Sequence, residues 1–200
     1  VVGDEAGTAI TTGDYNVAVG YNTLSSNTTG AQNTAVGREA ARANTTGTAN
    51  VAIGQSALAA NTTGGTNIAV GEDALGANTT ASNNTAVGFE ALKDNTTGTI
   101  NTGLGRQALA NNTTGTDNTA VSYSLVTNTT GSNNTAVGKS ALNANTTASN
   151  NTAVGFSSLA ANTTGTDNTA VGESTLAGTT TGDRNTGFGR RALMTNTTGT

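Results

Sequence analysis

The sequence predicts an all-β fold, a parallel β-solenoid or β-roll in which 17-residue coils stack along one axis. Two observations lead to this prediction. A five-residue block of the type Asn-Thr-Ala-Val-Gly recurs along the whole chain at a nearly constant spacing. Aromatic residues make up 3% and charged residues 10% of the 200 residues, which is too few for an ordinary globular domain. Repetition at a fixed period is the signature of a solenoid.

The repeat is defined by the Asn that opens each block, which we number position 1 of a coil. The spacing between these Asn residues is 17 except from Asn118 to Asn134, where it is 16, and Val121–Leu125 lacks the usual Gly. We therefore predict a single repeat array over residues 1–200, with about 11–12 coils and one short coil near 118–133. The position 1 residues, a predicted structural Asn ladder, are Asn16, Asn33, Asn50, Asn67, Asn84, Asn101, Asn118, Asn134, Asn151, Asn168 and Asn185.

The two ends of the sequence fall inside the repeat. Val1-Val2-Gly3 fits positions 3 to 5 of an earlier coil, and Thr200 fits position 16. A finite solenoid needs capping repeats, and we recognise none here. We therefore expect the sequence to be a fragment of a longer fibre.

Positions 2 to 4 predict a short strand whose side chains alternate between two faces. We expect positions 2 and 4, such as Val17 and Val19, to face the core, and the Ala at position 3, such as Ala69, to face the opposite side. Gly at position 5 would turn the chain, since it accepts positive φ. Leu104 and Phe188, the bulkiest residues at position 4, each follow a Gly, which we interpret as volume compensation in a packed core.

Position 9 supplies a second apolar column. The positions after it lead to a predicted turn at positions 12 to 15. Glu90–Lys93 could form one helical turn, and Asn-Thr-Thr-Gly at positions 12 to 15 is typical of a turn. Position 9 is Ala in one coil, at Ala41. The Leu column consists of Leu24, Leu58, Leu75, Leu92, Leu109, Leu125, Leu142, Leu159, Leu176 and Leu193.

Stacking places equivalent residues above one another about 4.8 Å apart, so eleven coils form a rod of roughly 50 Å. The Asn at position 1 would then form an amide ladder. Position 6 changes from coil to coil, so like charges are mostly not stacked directly. Successive coils carry Arg38, Gln55, Glu72, Phe89 and Arg106 there. Each coil has few apolar side chains, so a single thin coil is marginal. We therefore expect self-association, as an intertwined homotrimer or a filament.

The blocks Asn50-Val51-Ala52-Ile53-Gly54 and Asn67-Ile68-Ala69-Val70-Gly71 resemble the head repeats of YadA-like trimeric autotransporter adhesins. Those repeats carry an Asn-Ser-Val-Ala-Ile-Gly motif in a left-handed parallel β-roll, although their unit is shorter than 17 residues. The longer unit, with Ala-Leu and Asn-Thr-Thr-Gly, is similar to arrays in phage and viral tail-fibre proteins. The resemblance covers nearly the whole chain and implies an extracellular fibre at a cell or virion surface.

The sequence predicts no enzyme. It contains no His or Cys, so the common nucleophile–base pairs and zinc sites are missing, and we predict no catalytic residue, metal or cofactor. Acidic pairs such as Asp4-Glu5 are interpreted as solvated surface charges. The net charge of −4 is spread along the chain, which disfavours nucleic acid as a partner. No apolar run approaches the roughly 18 residues of a membrane span, so we predict no membrane insertion in this segment.

Asn-Thr-Thr is both a turn sequence and an N-glycosylation acceptor pattern. A glycan on each coil would sheath the rod. Asn-Asn-Thr adds acceptors at Asn83, Asn111, Asn133 and Asn150, and Thr179 replaces the Asn in one coil. The candidate N-glycosylation sites are Asn27, Asn44, Asn61, Asn78, Asn95, Asn112, Asn128, Asn145, Asn162 and Asn196.

Besides an N-glycosylated extracellular fibril with one glycan per coil, three functions remain open at this point. The first is a passive structural shaft of a surface adhesin, tail fibre or filament. The second is a binding module for cell-surface glycans that uses the variable positions 6 and 7, which include Tyr21, Phe89, Phe156 and Arg190. The third is ice binding by Thr rows at positions 13, 14 and 16, although these positions lie in a predicted turn.

Overall fold

The computed structural model describes residues 2–199 as one continuous stack of coils. Val1 and Thr200, which the repeat assigns to positions 3 and 16, lie outside the described residues. Each coil contributes one strand of three residues at positions 2 to 4. The strands are β1 (Val17–Val19), β2 (Thr34–Val36), β3 (Val51–Ile53), β4 (Ile68–Val70), β5 (Thr85–Val87), β6 (Thr102–Leu104), β7 (Thr119–Val121), β8 (Thr135–Val137), β9 (Thr152–Val154), β10 (Thr169–Val171) and β11 (Thr186–Phe188).

All eleven strands form one parallel sheet in sequence order. Each strand pairs with the next so that equivalent positions lie side by side, as Val36 does with Ile53. The short coil keeps this register, because Thr119 pairs with Thr135. Among the described residues there is no helix. The predicted all-β parallel solenoid is therefore confirmed.

Main-chain pairing between coils continues outside the strands. The amide of Thr28 donates to the carbonyl of Thr45 at 2.9 Å, and the amide of Leu58 donates to the carbonyl of Ala74 at 2.9 Å. Amides at position 17 bond in the opposite direction, as from Gln32 to Asp14 at 2.9 Å. Backbone polar groups are thus satisfied around much of the circumference, as a buried main chain requires.

The two faces of each strand are the reverse of those we predicted. Ala18 and Ala69 at position 3 are fully buried, whereas Val17 and Val19 are 46% and 37% exposed. The interior is already filled by the Leu column and by Asn side chains, so only Ala or Gly fits at position 3. The prediction that the Val and Ile columns face the core is wrong.

The proposed volume compensation at position 4 is also wrong. Gly103 lies in the interior, where an added Cβ would be 3.4 Å from Cγ of Leu92. Its neighbour Leu104 is 38% exposed, and Phe188 is on the outside as well. Positions 3 and 4 point to opposite sides of the sheet, so a Gly at one does not make room for a larger residue at the other.

The Leu column forms the apolar core, as predicted. Its members from Leu24 to Leu176 are fully buried, and Ala41 occupies the same place. Leu193, in the last described coil, is half exposed. The core of each coil is therefore small: one Leu, the Ala or Gly at position 3, and a small residue at position 8.

The segment after the strand forms successive tight turns, and the predicted helical turn at Glu90–Lys93 is absent. Glu90 and Leu92 both have left-handed backbone conformations, with φ of 55° and 52°. The amide of Leu92 donates to the carbonyl of Ala108 in the next coil at 3.0 Å. Bonding between coils therefore replaces bonding along a helix.

Gly at position 5 turns the chain, as predicted. Gly71 has a φ of 136°, which disfavours residues with a side chain. A Cβ at Gly71 would also collide with the carbonyl oxygen of Gly88 in the next coil. Both the backbone conformation and the close stacking of coils require Gly here.

Candidate functional site

The Asn residues at position 1 form a buried ladder that runs along the stack. Asn50 is 1% exposed and Asn67 is fully buried. The side-chain oxygen of Asn50 accepts hydrogen bonds from the backbone N–H and the side-chain NH2 of Asn67, at 2.9 and 3.2 Å. An equivalent backbone bond links each Asn from Asn16 to Asn185 to the next. This chain of amides fixes the register of neighbouring coils.

A second Asn ladder occupies position 12, which the sequence suggested only as a turn or an acceptor site. The side chain of Asn61 donates to the side-chain oxygen of Asn44 at 2.8 Å, and Asn78 donates to Asn61 at 2.8 Å. These side chains are fully buried or nearly so from Asn27 to Asn162. The recurrence of Asn at this position is the sequence signal that could have revealed the ladder.

The two ladders meet at the backbone carbonyl of position 15. Within one coil, the side-chain NH2 groups of Asn50 and Asn61 both donate to the carbonyl of Gly64, each at 2.9 Å. Where position 15 is Ala, as at Ala148, its carbonyl accepts the same pair of bonds. Each of these amide groups is thus bonded within its coil and to its neighbours, which compensates for burying it.

This burial decides which glycosylation candidates are accessible. The NH2 of Asn112 is fully buried and donates to Asn95 and to Gly115, at 2.8 and 3.0 Å. The folded coil therefore has no room for a glycan on Asn112, and the same holds for its equivalents from Asn27 to Asn162. Asn196 is partly buried. The acceptors that the structure exposes are Asn83, Asn111, Asn133 and Asn150.

The side chains at positions 2 and 4 form what we call the outer strand face. Position 4 is apolar in every coil and partly or fully exposed, which produces an unbroken apolar stripe along the rod. At roughly 4.8 Å per coil the stripe is about 50 Å long. Its members are Val19, Val36, Ile53, Val70, Val87, Leu104, Val121, Val137, Val154, Val171 and Phe188.

The side chains at position 6 form a second exposed column, which lies just beyond the Gly turn. Tyr21, Phe89 and Phe156 are 48%, 40% and 54% exposed. Arg190 pairs with Glu173, one coil earlier in the same column, at 3.2 Å. The candidate binding residues from the sequence therefore share one edge of the rod, although they belong to separate coils.

Position 7 lies beside this column and contains a small polar cluster. The carboxylate of Glu90 accepts a hydrogen bond from Lys93 at 2.7 Å and another from Gln107 at 2.6 Å. These bonds favour the ionised form and lower the pKa of Glu90 below its ordinary value of 4.5. The bond to Glu90 likewise raises the pKa of Lys93.

The short coil lacks position 7. The amide of Ser122 bonds to Leu104 as a position 5 residue does, and the carbonyl of Tyr123 accepts from Ser140 as a position 6 residue does. Ser124 then occupies position 8 and is buried. The missing residue leaves a surface depression of about 410 Å³, which we call the notch, lined by Gly105, Arg106, Gln107, Ser122, Tyr123 and Lys139. The sequence located the irregular coil but not this depression.

The Thr columns of positions 13 and 14 follow the turn and do not lie on the sheet. The hydroxyl of Thr45 at position 13 donates to the backbone carbonyl of Thr62 at 3.0 Å. Position 14 is exposed in each coil, as at Thr46. One row is thus bonded to the coil backbone, and neither row belongs to a strand of the sheet.

Within residues 2–199 no three His, Cys, Asp or Glu side chains come together as metal ligands would. The same residues contain no long apolar helix that could cross a membrane. Comparisons of the chain with protein-family models, with curated proteins and with solved structures find no match.

Proposed function

We propose that this chain is a structural shaft of an extracellular fibre. The observation that carries the proposal is the register, in which one parallel sheet and two buried amide ladders run through consecutive coils. Each coil contacts only its neighbours, so the stack extends in one dimension, as in other solenoids. Such a rod provides length and regular spacing. The extracellular location is supported by the resemblance of the Asn-Thr-Ala-Val-Gly blocks to adhesin heads and tail-fibre arrays.

The proposal includes self-association through the outer strand face. Val70, Val87 and Leu104 are neighbours in a stripe of apolar side chains that no other part of the described chain covers. Large exposed apolar patches on soluble proteins mark interaction sites. The stripe repeats with the period of the coil, so another copy of the chain offers a surface of matching length. We propose a homotrimer in which three such faces pack together around a common axis.

Sedimentation and electron microscopy of purified protein test this proposal. We expect the mass of a trimer and a slender rod. The variant Val70→Lys/Leu104→Lys places charges on the stripe and should sediment as a monomer with an unchanged β-sheet spectrum. The matched control, Thr80→Lys/Thr114→Lys, adds the same charges at exposed position 14 of the same coils and should remain trimeric. A wild-type monomer at all concentrations, or equal masses for both variants, would overturn this interface.

The fibril with a glycan on every coil is a weaker candidate because its position 12 acceptors from Asn27 to Asn162 are buried in the folded coil. An adhesive function is the second candidate. It is favoured by the exposed column at position 6, whose residues vary while the scaffold stays constant.

A further inference from the structure

We infer that the notch at the short coil is a binding site for an acidic oligosaccharide, with pyranose rings against Tyr123 and sugar carboxylates at Arg106 and Lys139. This site goes beyond the shaft function, because a passive shaft needs no ligand. It rests on four features of the structure: the local break in the repeat, the placement of two cations, their lack of acidic partners, and the aromatic residues between and beside them.

The notch occurs at one place along the rod, because the repeat is broken there. In regular coils a side chain at position 7 lies next to the position 6 column, as Gln107 and Ser140 do on either side of the short coil. The short coil has Ser122 and Tyr123 between Val121 and Ser124, and no residue at position 7. Shape therefore distinguishes this place from the other described coils.

The cations beside the notch differ from the other cations of their column. Arg38 pairs with Glu39 at 3.1 Å, and Arg190 pairs with Glu173 at 3.2 Å. Arg106 and Lys139 form no ion pair within residues 2–199. The nearby carboxylate of Glu90 is instead bonded to Lys93 and Gln107.

Arg106 and Lys139 belong to the coils before and after the short coil, so they are separated by two coil spacings, roughly 10 Å. This separation suits an oligosaccharide that carries a carboxylate on alternate sugars, with the ring between them over Tyr123. The planar guanidinium of Arg106 matches a carboxylate through paired N–H groups. Two exposed cations that have no acidic partner among residues 2–199 thus provide both charge and spacing.

Aromatic rings continue the site along the rod. The guanidinium of Arg106 lies 5.9 Å from the ring centre of Phe89, within the range of a cation–π contact. Phe156 occupies the next coil beyond Lys139 and is 54% exposed. Five consecutive coils therefore present Phe89, Arg106, Tyr123, Lys139 and Phe156 in one column. Exposed rings and cations in a concave site are suited to sugar rings that carry anionic groups.

Titration calorimetry of the full chain tests the site with three probes. These are an oligosaccharide of alternating glucuronic acid and N-acetylglucosamine, a neutral N-acetylglucosamine oligomer of equal length, and dextran sulfate. We expect binding of the first probe only. Arg106→Gln or Lys139→Gln should weaken it about threefold or more, and the double variant about tenfold or more. The control Arg38→Gln, an exposed cation of the same column, should bind normally. Equal binding by the double variant, or equal binding of dextran sulfate, would overturn the proposal.

A second variant separates the notch from the surrounding charges. Inserting one Ser between Tyr123 and Ser124 restores a coil of 17 residues and fills the depression while both cations stay in place. We expect it to lose binding at least about tenfold with an unchanged mass and β-sheet spectrum. Unchanged binding would show that the notch is not the site. The shaft proposal is tested separately, since assembly does not depend on this ligand.

Discussion

The side-chain oxygen of Asn162 is buried without a hydrogen-bond donor because Thr179, one coil later, replaces the Asn that would donate to it. In preceding coils the position 12 amide donates to the equivalent oxygen, as Asn128 does to Asn112 at 2.8 Å. The hydroxyl of Thr179 instead donates to the backbone carbonyl of Asn196 at 3.0 Å. The ladder is thus interrupted at one identifiable place.

Thr179→Asn should complete the ladder and stabilise the protein. The new NH2 would donate to Asn162, and satisfying a buried acceptor contributes about 1 kcal/mol to the free energy of unfolding. Denaturant unfolding measures the change. The control Thr181→Asn, which places the same residue at exposed position 14 of the coil, should have no measurable effect. Equal stability of Thr179→Asn and wild type would mean that the ladder adds little to stability.

The adjacent pair Asn111 and Asn112 tests the buried amides directly. Asn112 is fully buried in the position 12 ladder, whereas Asn111 is exposed. Asn112→Ala leaves the buried side-chain oxygen of Asn95 without a donor and removes one of the two acceptors of the Asn128 NH2, which keeps its bond to Gly131. The loss should cost about 2–3 kcal/mol in total. Asn111→Ala should change stability by less than about 0.5 kcal/mol. Thermal unfolding compares the two, and a similar loss in both variants would contradict the ladder.

The period, the parallel stacking and the buried Leu column could all be predicted from the sequence, because they follow from spacing alone. The inner and outer strand faces could not. Alternation shows that Val17 and Val19 share a face, but not which face is inside. The usual preference for burying the larger apolar residue predicts the wrong face here. The two Asn columns and the Leu column fill the interior and leave space only for a small residue such as Ala18.

The second ladder, at position 12, could not be predicted from the local sequence either. The local sequence Asn-Thr-Thr-Gly is typical of an exposed turn, so the residues next to Asn61 along the chain indicate a turn and not a buried ladder. Their partners lie one coil away, where Asn61 meets Asn44. The notch could not be predicted from the sequence, because the sequence does not show which position of the short coil is missing.

N-glycosylation should occur at the acceptor Asn residues whose side chains are exposed on the folded rod. If the chain is secreted from a eukaryotic host, we expect glycans only at the exposed acceptors Asn83, Asn111, Asn133 and Asn150, and none at buried position 12. Peptide mass spectrometry identifies each site. Material from a host without N-glycosylation serves as the control. A folded protein with glycans on Asn95 or Asn112 would contradict the buried ladder.

Stability should vary little near neutral pH, because the chain has no His or Cys. The lowered pKa of Glu90 means that its bonds to Lys93 and Gln107 stabilise the fold fully above pH 4.5. This contribution is lost as the pH falls through the lowered pKa of the folded state. The difference in unfolding temperature between wild type and Glu90→Gln should therefore shrink on acidification. Glu72→Gln is the control, because Glu72 forms no ion pair in the described part of the chain. A difference independent of pH would contradict the assignment.

Thiol labelling of two single-Cys variants in the same coil tests most directly whether the outer strand face is the surface that assembles. The chain has no native Cys, so Ala91→Cys and Val87→Cys each introduce one thiol. Ala91 is fully buried at position 8, where other coils hold a Ser of similar size, so we predict that Ala91→Cys is protected in every folded state. Val87→Cys should react rapidly in the Val70→Lys/Leu104→Lys background and slowly in the assembled fibre. Faster labelling of Ala91→Cys than of Val87→Cys in that background, or equally rapid labelling of Val87→Cys in both states, would contradict the account.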